Sequence, residues 1–310
     1  MSVPGAPAVG PLGPRLVRAE RRTFAGPAGF LADAGNRAAV GAYLSDLVRA
    51  YPAEGEEALP VPVSPEQGQS YGEMAEALIG ALVPADQPVG LLVLAYSVHD
   101  LQPGRATATY LSHVCPGAPM SFAISDQGSA AAFSALRIVR DYPAAGGGGR
   151  SLVIVLEQAA LPYGDGTGLP AQHRGVALLF EGGLAADGFG AGLNGGELVE
   201  GGLNDPAQRT ARLAGLVQRP NLAAAVVARQ AKADLAELAG GHPEVRLVVS
   251  RALAAVWPGH PGDAVGPPDQ PTTGLWWQVL DELDAGTGLL VAADYDPELG
   301  CLCLAAFELS

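Results

Sequence analysis

Two unbroken apolar runs, Val89-Gly-Leu-Leu-Val-Leu-Ala95 and Ser151-Leu-Val-Ile-Val-Leu156, constrain the fold more than any other part of the sequence. A strand with one wet face alternates apolar and polar residues, so a run without alternation has to be covered on both faces. Helices are available to do this. Residues 37–51 place Val40, Tyr43, Leu44 and Leu47 on one side at a 3.6-residue period, residues 71–82 precede the first apolar run, and residues 106–115 follow it. Residues 121–125 read as a strand and 129–139 as a small-residue helix, while the second apolar run leads to Arg174-Gly-Val-Ala-Leu-Leu-Phe180. Alternating helix and buried strand, closing with two consecutive strands, predicts a mixed α/β sheet.

The same order recurs in shortened form. Residues 221–238 read as a helix, 245–249 as a buried strand, 272–283 as a helix, and 288–293 with 301–307 as two closing strands. Repetition on this scale predicts two related α/β halves, residues 21–185 and 186–310, after a disordered lead-in of residues 1–20. The strands at 122–125 and 245–249 are expected to be equivalent central strands of the two halves. Glycine-rich residues 182–202 are expected to form a loop or hairpin between them, and 55–65, 146–149 and 258–271 to be irregular.

With 310 residues and 48% apolar content, the chain can bury one large core or two fused ones. Its 32 acids against 18 bases give a net charge of −14, which argues against a phosphate-tracking nucleic-acid surface and against anionic membranes. No run approaches the ~18–20 apolar residues of a spanning helix. The first 14 residues lack the basic start and long apolar stretch of a signal peptide, so a cytoplasmic protein is expected. Cys115, Cys301 and Cys303 have no metal spacing and read as buried thiols, and no histidine pair has a ligand spacing.

Several strings look like motifs and are better read otherwise. Gly68-Gln-Ser-Tyr-Gly72 satisfies G-x-S-x-G, but Pro62, Pro65 and Glu66 spoil the buried strand that a nucleophile elbow needs. Ser70 is therefore expected to be a loop or cap residue, and an α/β-hydrolase is set aside. Gly164-Asp-Gly-Thr-Gly168 and Gly188-Phe-Gly-Ala-Gly192 do not join a buried strand to a helix and read as turns. Trp276 and Trp277 point about 100° apart on a helix, so one belongs to the core and the other to a surface.

Ser129 stands apart from these. It follows the strand at 121–125 and the turn Asp126-Gln-Gly128, and it opens the helix Ser129-Ala-Ala-Ala-Phe-Ser-Ala-Leu. The first turn of a helix has free N–H groups and the positive end of the dipole, so this is where folds place nucleophiles. The bland alternative is a cap or packing serine.

The stretch Arg105-Ala-Thr-Ala-Thr-Tyr-Leu-Ser-His113, then Pro116-Gly-Ala-Pro119, the strand, the turn and the helix through Ala135-Leu136 resembles the thiolase superfamily. Within it, the resemblance is to the β-ketoacyl carrier-protein synthase III branch around its active cysteine. Arg246-Leu-Val-Val-Ser-Arg251 is similar to the strand that ends in that family's catalytic histidine, and Leu280-Asp-Glu282 to the helix after its catalytic asparagine. The resemblance covers residues 70–310. It implies a thiolase-like αβαβα fold built from two related halves, dimeric association, and acyl thioesters on CoA or a phosphopantetheine carrier as substrates, with no separate cofactor.

The family's nucleophile, histidine and asparagine fall on Ser129, Arg251 and Gln270. Its chemistry needs a thiolate to hold the acyl group, with His and Asn steadying an enolate oxyanion. A serine hydroxyl attacks a thioester poorly without a base, and an arginine cannot act as one. The family's glycine-rich turn between the closing strands is replaced by Asp294-Tyr-Asp-Pro-Glu-Leu299. These departures argue against carbon–carbon condensation.

His99, with Asp100, follows the first apolar run at the strand's C-terminal end, where α/β sheets gather ligands, and is the candidate base for Ser129. A solvated loop histidine is its bland reading. Arg251 is expected to bind a thioester oxygen, a carboxylate or a carrier's phosphate, against a rim salt bridge, and Gln270 is otherwise a loop residue. Two functions follow from the resemblance. One is acyl handling in polyketide or fatty-acyl biosynthesis, with acyl transfer through Ser129 and an acyl carrier protein or acyl-CoA as partner. The other is a non-catalytic subunit completing a heterodimer with an active ketosynthase, as degenerate members of the family do.

Overall fold

The computed structural model describes residues 13–26, 28–50, 69–102, 104–142, 149–159, 169–182 and 211–309. The expectations for residues 1–12, for 55–65, for most of the 146–149 linker, for both glycine strings and for 183–202 lie outside the described residues.

The first half runs β1 (Arg15–Phe24), α1 (Gly29–Ala32), α2 (Ala34–Ala50), α3 (Tyr71–Leu82), β2 (Val89–Ala95), α4 (Thr107–Val114) and β3 (Met120–Ile124). A 3-10 turn, Gly128–Ala130, then leads into α5 (Ala131–Asp141), β4 (Arg150–Glu157) and β5 (His173–Glu181). The second half runs β6 (Ala211–Arg219), α6 (Ala224–Ala239), β7 (Val245–Val249), α7 (Arg251–Val256), β8 (Ala264–Val265), α8 (Thr273–Ala285), β9 (Gly288–Asp296) and β10 (Cys301–Leu309).

The strand order is β3-β2-β4-β5-β1-β6-β10-β9-β7-β8. Counted outward from the β1/β6 junction, each side has the same arrangement, so β1 to β5 correspond to β6 to β10 in turn. The junction is only two residue pairs, Arg15 with Arg212 and Leu16 with Ala211, and the sheet is in effect two five-stranded sheets meeting at a corner. In each, parallel pairs are joined by helices, β2 to β3 and β4, β7 to β8 and β9, and the last two strands form an antiparallel pair.

This order corrects two expectations. The counterpart of β7 is β2, whereas β3 lies at the outer end of its sheet and corresponds to the two-residue β8. The reason is burial: β2 is apolar on both faces and sits between two strands, but β3 is largely uncovered and leaves Met120 53% exposed. Residues 15–20, assigned to the lead-in, open β1. Its sequence Arg-Leu-Val-Arg-Ala-Glu-Arg-Arg-Thr-Phe has no apolar alternation, because the strand is held by its backbone ladder to β5 rather than by a buried face. Two arginines, Arg15 and Arg150, flank Glu181 at 3.7 and 2.6 Å at one end of that ladder.

Three apolar clusters show the layering. Helices α3 and α4 cover the outer face of the first sheet through residues such as Tyr71, Leu78, Leu92 and Leu152. Helices α6 and α7 cover the outer face of the second through Val227, Leu253, Leu247 and Val291. Between the sheets lie α5 and α8, where the Phe133 ring meets Trp276 at 5.1 Å. The layers are therefore helix, sheet, helix, sheet, helix, with α5 and α8 as counterparts in the two halves. Trp276 is the core member of its pair, and Trp277 is flanked by the Arg21 and Arg174 guanidiniums at 5.0 and 4.6 Å. Ser70 is a cap: its hydroxyl accepts the Glu73 N–H and the Glu73 carboxylate accepts the Ser70 N–H, closing a capping box on α3. The three cysteines are buried free thiols. Among the described residues, no helix is long and apolar enough to cross a membrane.

Candidate active site

Strand β9 alternates strictly. Leu289, Val291, Ala293 and Tyr295 face the outer layer, and Leu290 and Ala292 face the layer between the sheets. The period of two puts Asp294 and Asp296 on that second face, directed at the start of α5. The turn Gly128–Ala130 meets them there.

Asp296 is buried and fully engaged. Its Oδ2 accepts the Ser129 N–H at 3.0 Å, and its Oδ1 accepts the N–H groups of Glu298 and Leu299, both at 3.0 Å. The Ser129 hydroxyl is 3.5 Å from the same Oδ2. Gly128, at φ +49°, is what allows the approach, since a Cβ there would lie 1.8 Å from that oxygen. The carboxylate thus occupies the free-amide end of a helix, where an anion is favoured.

Asp294 lies deeper. Burial pushes its carboxyl up to about 6, with the Asp296 charge adding to the rise and the hydroxyls of Ser129 and Ser250 opposing it. Its Oδ2 is buried with no donor. Ser129 therefore presents its hydroxyl, half-buried, to two carboxylates, one held by three amides and one close to its titration point.

The other expected residues fall around this centre unequally. Arg251 is exposed on the first turn of α7; the residue before it, Ser250, is buried, caps α7 through the Leu253 N–H and lies beside Asp294. Gln270 is buried just before α8, accepting from the Thr273 hydroxyl at 3.2 Å and donating to the Gln172 carbonyl at 3.2 Å. His99 is exposed in the loop after β2. Two residues away, the Ser97 hydroxyl is 3.3 Å from that of Thr272, so the loop carrying His99 adjoins the start of α8.

That start is itself occupied by an acid. Glu157, buried at the end of β4, accepts the N–H of Thr272, the N–H of Thr273 at 2.9 Å and the Thr273 hydroxyl. Burial raises its carboxyl while those donors lower it. Both central helices, α5 and α8, thus begin against a carboxylate from the neighbouring strand. Sequence reasoning singled out neither Glu157 nor the roles of Ser250, Asp294 and Asp296. The available signal was the i, i+2 spacing of two acids at the end of an apolar strand, a costly arrangement unless each finds donors.

A hydroxyl between carboxylates has a base at hand. The second requirement of acyl transfer is a free N–H aimed at the developing oxyanion, and the nucleophile's own amide does not supply one. The Ser129 amide is already bonded to Asp296, and two negative groups oppose a third at the same place.

No protein-family model matches the sequence, and no curated protein does. Solved structures do match. ChlB3, described as an acyltransferase, is 17% identical and superposes at a TM-score of 0.54, with 96% of this chain and 98% of that chain covered. AbyA1, described as a tetronic acid condensing enzyme, is 15% identical with a TM-score of 0.55 over 95% and 99%. The 3-oxoacyl-(acyl carrier protein) synthase III of Pseudomonas aeruginosa is 12% identical with a TM-score of 0.54 over 96% and 98%. These likenesses span nearly the whole of both chains, and with the five-layer arrangement they establish a thiolase-like αβαβα fold.

Proposed function

We propose that the chain is a non-condensing ketosynthase-like subunit that pairs with an active thiolase-fold ketosynthase in polyketide or fatty-acyl biosynthesis. The observation that carries this reading is the Ser129 N–H bond to Asp296, which commits the amide an acyl oxyanion would need. The descriptions of the similar structures, an acyltransferase, a condensing enzyme and an acyl carrier protein synthase, support acyl groups as the chemistry of the assembly. The outer edge of β3, unpaired among the described residues and with Met120 exposed, supports association there, because an unpaired strand edge is a template for another strand. Cytoplasmic placement follows from this role.

The test is co-purification of the tagged chain from its own host, with light scattering of the product. A stable one-to-one complex with a ketosynthase is expected. A monomer at micromolar concentration with no associated ketosynthase contradicts the reading.

One observation favours a second reading, acyl transfer through Ser129. Asp294, raised to about 6, is ionised at neutral pH yet basic enough to take a proton from the hydroxyl beside it. In that case Asp294 replaces His99 as the base, and Arg251, exposed on α7, is left to meet the donor or its carrier.

A further inference from the structure

The second half has a cavity of about 520 Å³ on its outer side. One wall is a single face of α6, formed by Lys232, Leu235, Ala236 and Ala239 at helical spacing; Leu247 of β7 lines the floor, and Trp257 with the turn after it closes the far side. Leu247 and Trp257 belong to the outer apolar cluster, whereas the Ser129 site faces the layer between the sheets. The second sheet separates the two.

Lys232 is the only lysine in the chain. It is exposed at one end of the cavity's apolar wall, and among the described residues it takes part in no ion pair. The nearest acid on its helix, Asp234, is turned away and held by Arg219 at 2.8 Å and Gln230 at 2.9 Å. A concave apolar surface with one convergent charge is the pattern of a small-molecule site, and the volume lies within the ~300–1,000 Å³ usual for one.

We infer that this cavity binds a medium-chain fatty acid, with the hydrocarbon chain along Leu235, Ala236, Ala239 and Leu247, against Trp257, and the carboxylate on the Lys232 ammonium. Charge selects among amphipathic ligands. One ammonium answers one carboxylate, and a chain of net charge −14 opposes a ligand with several phosphates such as a CoA thioester. The ligand is therefore the free acid, recognised apart from any thioester handled at the Ser129 site.

The experiment is a titration of the full chain with decanoate below its micellar concentration, followed by tryptophan fluorescence, with decanol and decyltrimethylammonium in parallel. Decanoate is expected to give a saturable one-site change that disappears in Trp257→Phe, with the other two amphiphiles at least about tenfold weaker. Lys232→Gln should weaken decanoate about tenfold or more while Lys232→Arg retains it, and Ala236→Trp, which fills the wall, should abolish binding in a chain with an unchanged circular dichroism spectrum. No saturable change in the wild type overturns the inference. So does equal binding of decanol, or a Lys232→Gln chain that binds as the wild type does.

Discussion

The backbone N–H of Ser129 and the carboxylate of Asp296 are joined by a 3.0 Å hydrogen bond across 167 residues of sequence. It links the start of α5 in one half to the end of β9 in the other, and Gly128 is the residue that lets the two approach. Asp296→Ala leaves the N–H groups of Ser129, Glu298 and Leu299 without their acceptor and should cost about 2–3 kcal/mol. Gly128→Ala should cost about 2–4 kcal/mol, since its Cβ collides with Asp296. Because both act through one contact, the double variant should be less destabilised than the sum by about 1 kcal/mol or more, measured by urea unfolding. Additive losses would mean that the contact is not shared.

Asp294 makes stability depend on pH. Its carboxyl is raised to about 6 from the ordinary 3.8, so between these values the folded chain keeps a proton that the unfolded chain has released. The stabilisation is full below about pH 4 and is lost as pH rises through 6, by about 3 kcal/mol at most for this group. Glu157 and Asp100 are raised as well and act in the same direction. The contribution of Asp294 is therefore read as the difference between Asp294→Asn and the wild type. The variant should gain relative stability between pH 4.5 and 7.5, and a difference that does not change with pH would contradict the assignment.

Glu157 ties the end of β4 to the start of α8. Glu157→Ala strands two buried amides, leaves the Thr273 hydroxyl only Gln270 as acceptor, and should lower stability by about 3 kcal/mol, with Glu157→Gln losing less because one acceptor oxygen remains. Chemical denaturation of the two variants checks the order. Equal losses would show that the acceptor oxygens are not what matters.

The sequence carried the fold further than the site. Continuous apolar runs identified β2 and β4, and the small-residue helix after the turn placed Ser129 at the start of α5, because burial leaves a direct mark on composition. Strand β1 was illegible: its ten residues include four arginines, and its stability comes from a backbone ladder that no side-chain pattern records. The resemblance led to Arg251, but the structure brings the adjacent Ser250 to Asp294, a one-residue offset that decides which side chain faces inward at the start of a helix. Asp294 and Asp296 were visible only as a departure from a glycine-rich turn. Ser129, which Asp296 holds across the layer between the sheets, lies 167 residues away in the chain, and spacing alone does not reveal a long-range contact of that kind.

The edge of β3 should govern association. Met120→Glu changes an exposed side chain and should alter the stability of the isolated chain by no more than about 0.5 kcal/mol. It should nevertheless weaken the complex, seen as a faster exchange of subunits or a smaller mass in light scattering. An unchanged complex would move the interface elsewhere.

The central claim is that Ser129 accepts no acyl group, and intact-protein mass spectrometry tests it most directly. The chain is incubated with a panel of acyl-CoAs and acyl carrier proteins, alone and with any ketosynthase that co-purifies with it, between pH 6 and 8, alongside Ser129→Ala. Asp296 holding the Ser129 amide predicts no acyl adduct on the wild type under any of these conditions, and spectra that differ from the variant only by the substituted oxygen. An acyl adduct on the wild type that is absent from Ser129→Ala would contradict the account and establish transfer through the hydroxyl instead.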